Sequence, residues 1–154
     1  MSKNIPLPNG LFAIVDDEDY ERCSQFKWHL NAQGYAIHDS KKSDGARTIT
    51  RLSRFIMAAP GHLDVDHIHG NLLDNRKSEL RLCTRQQNCC NRGKSPTNTS
   101  GYKGVSWHKR ARSWTAQIHL NQKKIHLGYF KDILDAAAAY ADAAKKFHGE
   151  FART

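Results

Sequence analysis

Gly93–Ser100, GKSPTNTS, holds no residue that could anchor a core. Gly, Pro, Asn and hydroxyl side chains in a row make it a linker by composition. A length of 154 residues suits one domain or two small ones, and a linker at this place favours two. Two separate small cores are each marginal unless a bound ion or nucleic acid adds stability. The expected organisation is a first domain over 1–92, a linker over 93–99 and a second domain over 100–154. At 39% hydrophobic residues the chain is rich enough to fold.

On the N-terminal side the signals are mostly β. Residues 1–9 read as a tail. Leu11–Val15, Lys27–Leu30, Tyr35–His38 and Thr48–Leu52 are short apolar or β-branched runs broken by Gly, Asn and Asp. Asp16 to Gln25 can add a helical turn, and Arg51–Ala58 reads as a strand passing into a short helix. Then Leu63–Ile68 is a strand, His69–Ser78 a polar loop and Leu80–Thr84 a second strand. Thr84-Arg85-Gln86-Gln87 is a capping-box pattern, so a helix begins there and runs to about Asn91.

Beyond the linker, Tyr102–His108, Ser113–Leu120 and Lys123–Tyr129 alternate as strands do, with Asn121-Gln122 as a tight turn. A helix follows from Asp132 to His148. Asp132 caps it, Lys145, Lys146 and His148 complement its negative end, and Gly149 stops it. Ile133, Ala137, Tyr140, Ala141 and Ala144 make its expected inward face. The fold class is therefore α+β: a β-rich N-terminal region with a strand–strand–helix unit, then a three-stranded antiparallel sheet packed on one helix.

Net charge is +9, which points to a polyanionic partner. The charge is uneven. Residues 1–62 hold 8 Lys+Arg against 7 Asp+Glu, residues 63–92 hold 5 against 4, and residues 93–154 hold 11 against 4. Between Lys94 and Lys131 there are eight basic residues and no acidic one, interleaved with Trp107, Trp114 and Tyr129. That weakens the bland reading, a solvated basic face, and gives the last third most of the electrostatic footprint. The N-terminus has no apolar signal region and no stretch is long enough to span a bilayer, so the expectation is a cytoplasmic protein with no membrane partner. Cys23, Cys83, Cys89 and Cys90 show no C-x-x-C spacing, and with His67 and His69 they fit no usual zinc finger.

The chemistry concentrates in VDHIHGNLLDNRKSELRLCTRQQN, Val65 to Asn88. Hydrolysing a phosphodiester needs a deprotonated water, a cation beside the phosphate and stabilisation of the leaving oxygen. Asp66 offers a hard oxygen for Mg²⁺, with Mn²⁺ the alternative. His67 can take a proton from water near neutral pH. Asn88 offers a second oxygen from the first turns of the helix, and Arg81 and Arg85 stand close enough in sequence to contact phosphate. Adjacent strand residues face opposite sides, so Asp66 and His67 share one site only if the strand ends or bulges there.

This string resembles the HNH (ββα-metal) homing endonucleases of phage and intron-encoded type, in its D-H, L-D-N-R, L-R-x-C-T and Q-N elements. FAIVDDEDYERCSQFKW and RLSRFIMAAPG resemble the N-terminal extension of such enzymes. The resemblance implies that His67 is the general base and that Asp66 and Asn88 hold one divalent cation. It implies cleavage or nicking of double-stranded DNA, with no obligate protein partner and a monomer as the simplest state. Two positions depart from the pattern. Glu79 stands where the family has the Asn that pins the loop to the catalytic strand, a task Asn71 or Asn75 could take over, and Ser53 stands where many relatives have His.

Ser100 to Gly149 resembles the ethylene-response-factor (APETALA-two) DNA-binding domain in Y-K-G-V, W-T-A-Q-I, L-G-Y-F and the alanine-rich A-A-A-A-Y-A-D-A-A. That resemblance implies a sheet laid in the major groove with the helix behind it. Alternation puts Trp114, Ala116, Ile118, Leu120, Ile125 and Leu127 on the helix side. Thr115, Gln117, His119, Lys124 and His126 then face outward, joined by Lys103, Ser106, His108, Arg110 and Arg112 from the first strand and its turn, and by Lys123. These are the expected DNA contacts. The alternative to cleavage is a catalytically inactive, sequence-specific DNA-binding protein with a relic HNH fold.

Overall fold

The computed structural model describes residues 1–41, 43, 45–121 and 123–153, and the chain forms two compact units, Met1–Arg85 and Gln86–Thr154. The class is α+β: among the described residues there are several small antiparallel sheets and four α-helices. Among the described residues no helix is long and apolar enough to cross a membrane.

In the first unit, β1 (Ser2–Pro6) pairs with β2 (Phe12–Asp16) in antiparallel register from Ser2↔Asp16 to Pro6↔Phe12. The N-terminus is thus a strand, not the tail its polar sequence suggests. Two apolar residues, Ile5 and Leu7, decide this: both are buried against Ala13 and Val15, and Gly10 takes the positive φ that the connection needs. Helix α1 (Asp17–Ser24) follows with three acids in its first turn and Arg22 in its last, which suits the helix dipole. Strands β3 (His29–Leu30), β4 (Ala36–Lys41) and β5 (Arg47–Arg51) form a sheet in that order. Helix α2 (Leu52–Ile56) then buries Leu52, Ser53 and Ile56.

The last pair in this unit is the hairpin of β6 (Asp64–His67) and β7 (Leu80–Cys83). Val65 and Leu80 join the core of Ile5, Val15, Cys23, Trp28, Leu52 and Ile56. The long connection between β6 and β7 is fastened to β2: Ile14 N–H donates to Leu73 O at 2.8 Å, and Asn75 N–H donates to Ile14 O at 2.7 Å. Lys77 N–H adds a bond to Asp16 Oδ2 at 2.7 Å. A polar loop is therefore held by backbone pairing to a core strand, which removes most of its freedom.

The second unit opens with all but the first residue of α3 (Arg85–Cys90). Strands β8 (Val105–His108), β9 (Ser113–Leu120) and β10 (Lys123–Phe130) form an antiparallel sheet with β9 central. Helix α4 (Ile133–His148) packs on it, capped by Asp132, whose Oδ1 accepts from Leu134 N–H at 2.7 Å. Of the expected turn, Asn121 has φ 50, and Gln122 lies outside the described residues. The helix face matches the expected one at Ile133, Ala137, Tyr140 and Ala144, adds Ala136 and Ala143, and lacks Ala141. Ala136, Tyr140, Ala143 and Ala144 are buried, and Ile133 and Ala137 pack beside them. A helix crossing a twisted sheet turns its contact stripe, so the alanine-rich sequence offered several equivalent faces. Gly104, at φ 71, shows how close the packing is: a Cβ there would lie 2.2 Å from the Tyr140 ring and 2.6 Å from Gln117 O.

Candidate active site and nucleic-acid interface

The register of the β6–β7 hairpin sets Asp66 opposite Arg81 and His67 opposite Leu80. Asp66 is only 5% exposed and His67 only 4%. Burying a carboxylate needs a partner. Arg81 supplies it: Nε and Nη2 both donate to Asp66 Oδ2, at 2.8 and 2.7 Å. His67 is the last residue of β6, and Gly70 turns the chain just after it, donating its N–H to His67 O at 2.9 Å.

His67 Nε2 lies 3.3 Å from Asn75 Oδ1. An amide oxygen only accepts, so Nε2 carries the proton and Nδ1 keeps the lone pair of the neutral ring. Burial pushes the His67 pKa down, against smaller raising effects from the Asn75 bond and the Asp66 and Asp74 charges. The ring is therefore neutral near pH 7, the state in which a histidine can accept a proton. Tyr35 closes one side with its ring centre 6.0 Å from that of His67, and Arg51 stacks over Tyr35 at 4.2 Å.

The loop residues have separate tasks. Asn75, itself buried, joins His67 to Ile14 through its side chain and backbone. Asn71 Oδ1 accepts from Leu73 N–H at 3.1 Å and shapes the turn before it. Glu79 pairs with His69, Oε2 to Nδ1 at 2.6 Å, while its carbonyl accepts from Ile68 N–H at 2.9 Å. Asp74 is paired with Arg76, which holds its carboxyl below the usual range. Ser53 is buried on α2. Of the three loop candidates, the one whose side chain bonds His67 is thus Asn75, whose signal was the D-N-R element. Tyr35 had no signal in the sequence at all.

Among the described residues no group of three or more His, Cys, Asp or Glu is placed to hold a metal ion. A cage is not required for Mg²⁺, which commonly takes one or two carboxylates and completes its shell with water and substrate phosphate. The buried Asp66 carboxylate is a hard oxygen donor next in the chain to a neutral imidazole. The donor chemistry fits a hard divalent ion. Arg85 is exposed at the start of α3, and Asn88 is half-buried on the same helix.

On the sheet of the second unit, Ser106 pairs with Thr115, His108 with Ser113, His126 with Gln117 and Lys124 with His119. These residues line the face away from α4, while Ala116 and Ile118 are buried on the other, with Trp114, Ile125 and Leu127 packed beside them. Thr115 is buried although it points outward, with Oγ1 3.3 Å from His126 Nδ1. A β-bulge at Leu127 shifts the register so that Tyr129 lies opposite Thr115. Alternation alone missed this. Tyr129 is 55% exposed, and its ring lies 4.6 Å from His126 and 5.2 Å from His108. Trp107, 48% exposed, lies edge-on to Trp114 at 5.2 Å on the helix side. Arg110, Arg112 and Lys123 are exposed, Arg112 with φ 48 in the β8–β9 turn. Lys103 is placed differently: its Nζ donates to Cys90 O at 2.8 Å and Arg153 O at 3.0 Å.

No family model matches the chain. It is 31% identical over 150 residues to an uncharacterised HNH endonuclease of Acanthamoeba polyphaga mimivirus, covering 93% of this chain and 74% of that protein. It is also 35% identical over 89 residues to protein 3.8 of Escherichia phage T7, covering 58% of this chain and 73% of the phage protein.

Proposed function

The chain belongs to the HNH endonuclease family, and on that premise we propose that it is a metal-dependent endonuclease of homing type that nicks or cleaves double-stranded DNA. The observation that carries this reading is His67: a buried, neutral imidazole held by Asn75 on a hairpin whose next residue back is the buried carboxylate Asp66. His67 takes the proton of the attacking water at Nδ1, and Asn75 keeps the ring in the tautomer that allows it. Asp66 and, on the sequence pattern, Asn88 would hold the divalent ion, Mg²⁺ before Mn²⁺, which when bound neutralises charge at the scissile phosphate. Asn71, Asn75 and Glu79 brace the loop. Arg81 orients Asp66, and Arg85 is a phosphate contact.

The domain scheme in this reading is a nuclease over 1–92, a linker over 93–99 and an ethylene-response-factor-like DNA-binding domain over 100–154. The polar sheet face with Ser106, His108, Thr115, Gln117, His119, Lys124 and His126, and the flanking Arg110, Arg112 and Lys123, supports DNA reading by the second domain. Tyr129 joins that surface.

One observation favours the second reading, a DNA-binding protein that no longer cuts: Arg81 already engages Asp66 through two donors. A plasmid-nicking assay decides between them. Relaxation of supercoiled DNA with Mg²⁺, and none with EDTA, is the expected result. Binding without relaxation under any divalent ion overturns cleavage in favour of the silent binder.

A further inference from the structure

Helix α3 carries Asn88, yet by packing it goes with the sheet unit, whose span begins at Gln86. Two side-chain ties fasten it there. At its first turn Gln86 Nε2 donates to Asn121 Oδ1 in the β9–β10 turn. At its last residue Cys90 O accepts from Lys103 Nζ at 2.8 Å. The same ammonium donates to Arg153 O at 3.0 Å, so Lys103 joins the end of α3 to the C-terminal segment that follows α4. Burial pushes the Lys103 pKa below its ordinary value, as expected of an ammonium drawn away from solvent. A six-residue helix is too short to hold its own geometry, so its position depends on such ties. Carbonyls at a helix C-terminus are also where a cation is most favoured.

We propose that Lys103 is a positioning residue for cleavage: by fastening the end of α3 within the second unit it sets the helix that bears Asn88. This rests on the nuclease reading above. It also turns the basic residue nearest the start of the sheet from a DNA contact into an internal clamp.

The test uses the full chain with Lys103→Met, which keeps the apolar stem and removes the donors, and Lys103→Arg, which restores donors. Three quantities are read: nicking of supercoiled plasmid with Mg²⁺ at saturating protein, affinity for a mixed-sequence duplex in EDTA, and amide hydrogen exchange. Lys103→Met is expected to lose on the order of 10- to 100-fold in nicking rate, because small displacements of a site cost that much. Duplex affinity should stay within about twofold, since no phosphate contact is lost. Exchange should speed up in α3 and stay slow in β9, and Lys103→Arg should recover part of the rate. Wild-type nicking by Lys103→Met overturns the proposal. So does a loss of duplex affinity as large as the loss of rate with β9 still protected, which would make Lys103 a DNA contact. If β9 exchange also rises, Gln86→Ala decides, because it cuts only the other tie. A slower rate with β9 protected then supports the clamp, and an unchanged rate overturns it. A wild-type chain that never nicks refutes the nuclease reading instead, a separate outcome.

Discussion

The two units bury different things. Among the described residues, the first buries six polar or charged residues, Asp19, Ser53, Asp66, His67, Asp74 and Asn75, and the second buries two, Asn91 and Thr115. Burying polar groups is costly unless each is bonded, so a small unit that keeps six of them holds them in fixed geometry. The second unit does the reverse. Its core is Val, Ile and Ala closed by one Tyr ring, and its polar side chains stand on the open sheet face and in the turns. A unit with preset buried donors and acceptors suits bond making and breaking. One with an open basic and aromatic face suits gripping a long polyanion.

The largest effect that could break this contrast is at His67. His67→Ala should slow nicking by about 10²- to 10⁴-fold and leave duplex affinity unchanged, because a general base acts only in the chemical step. A single-turnover time course checks it. Gly104→Ala comes next. The new methyl would meet the Tyr140 ring and Gln117 O at a positive φ, so the second unit should lose roughly 3 kcal/mol of stability. Thermal unfolding followed by near-ultraviolet circular dichroism measures this, and unchanged unfolding would mean the packing is looser than described.

Much of this contrast was legible in the sequence. The helix α4 shows its caps openly, with Asp132 bonded to Leu134 N–H and Gly149 at φ 55. The hairpin Val65 to Leu82 follows from alternating apolar residues around a polar loop. What stayed hidden depends on contacts distant in the chain. Nothing in Ser2–Pro6 announces a strand until Phe12–Asp16 pairs with it. The choice of Asn75 over Asn71 or Glu79 as the partner of His67 rests on the backbone bridge to Ile14. Lys103 reads as one more basic residue, and only the fold brings Cys90 and Arg153 to its ammonium.

Two smaller effects sharpen the comparison. Removing Arg110 or Arg112 should reduce the slope of log K against log salt by about 1 each, with little change in nicking at saturation. A salt titration of duplex affinity gives the slope. The smallest effect is at Glu79. Its side chain meets a largely exposed His69, and such surface contacts contribute at most about 0.2–1 kcal/mol. Glu79→Asn should therefore nick at close to the wild-type rate, measured on plasmid with Mg²⁺. A complete loss would mean that Glu79 acts directly in the site.

In the proposed division of labour the general base lies in the buried polar set of the first unit and duplex recognition on the sheet face of the second. It is tested most directly by measuring the single-turnover cleavage rate and the duplex Kd side by side for His67→Ala and for Gln117→Ala combined with His126→Ala. The account predicts a crossed pattern: the first variant loses rate and keeps affinity, and the second loses roughly 1–3 kcal/mol of affinity per lost base contact and keeps its rate at saturation. Equal loss of both quantities in both variants, or affinity lost only with His67, would contradict it.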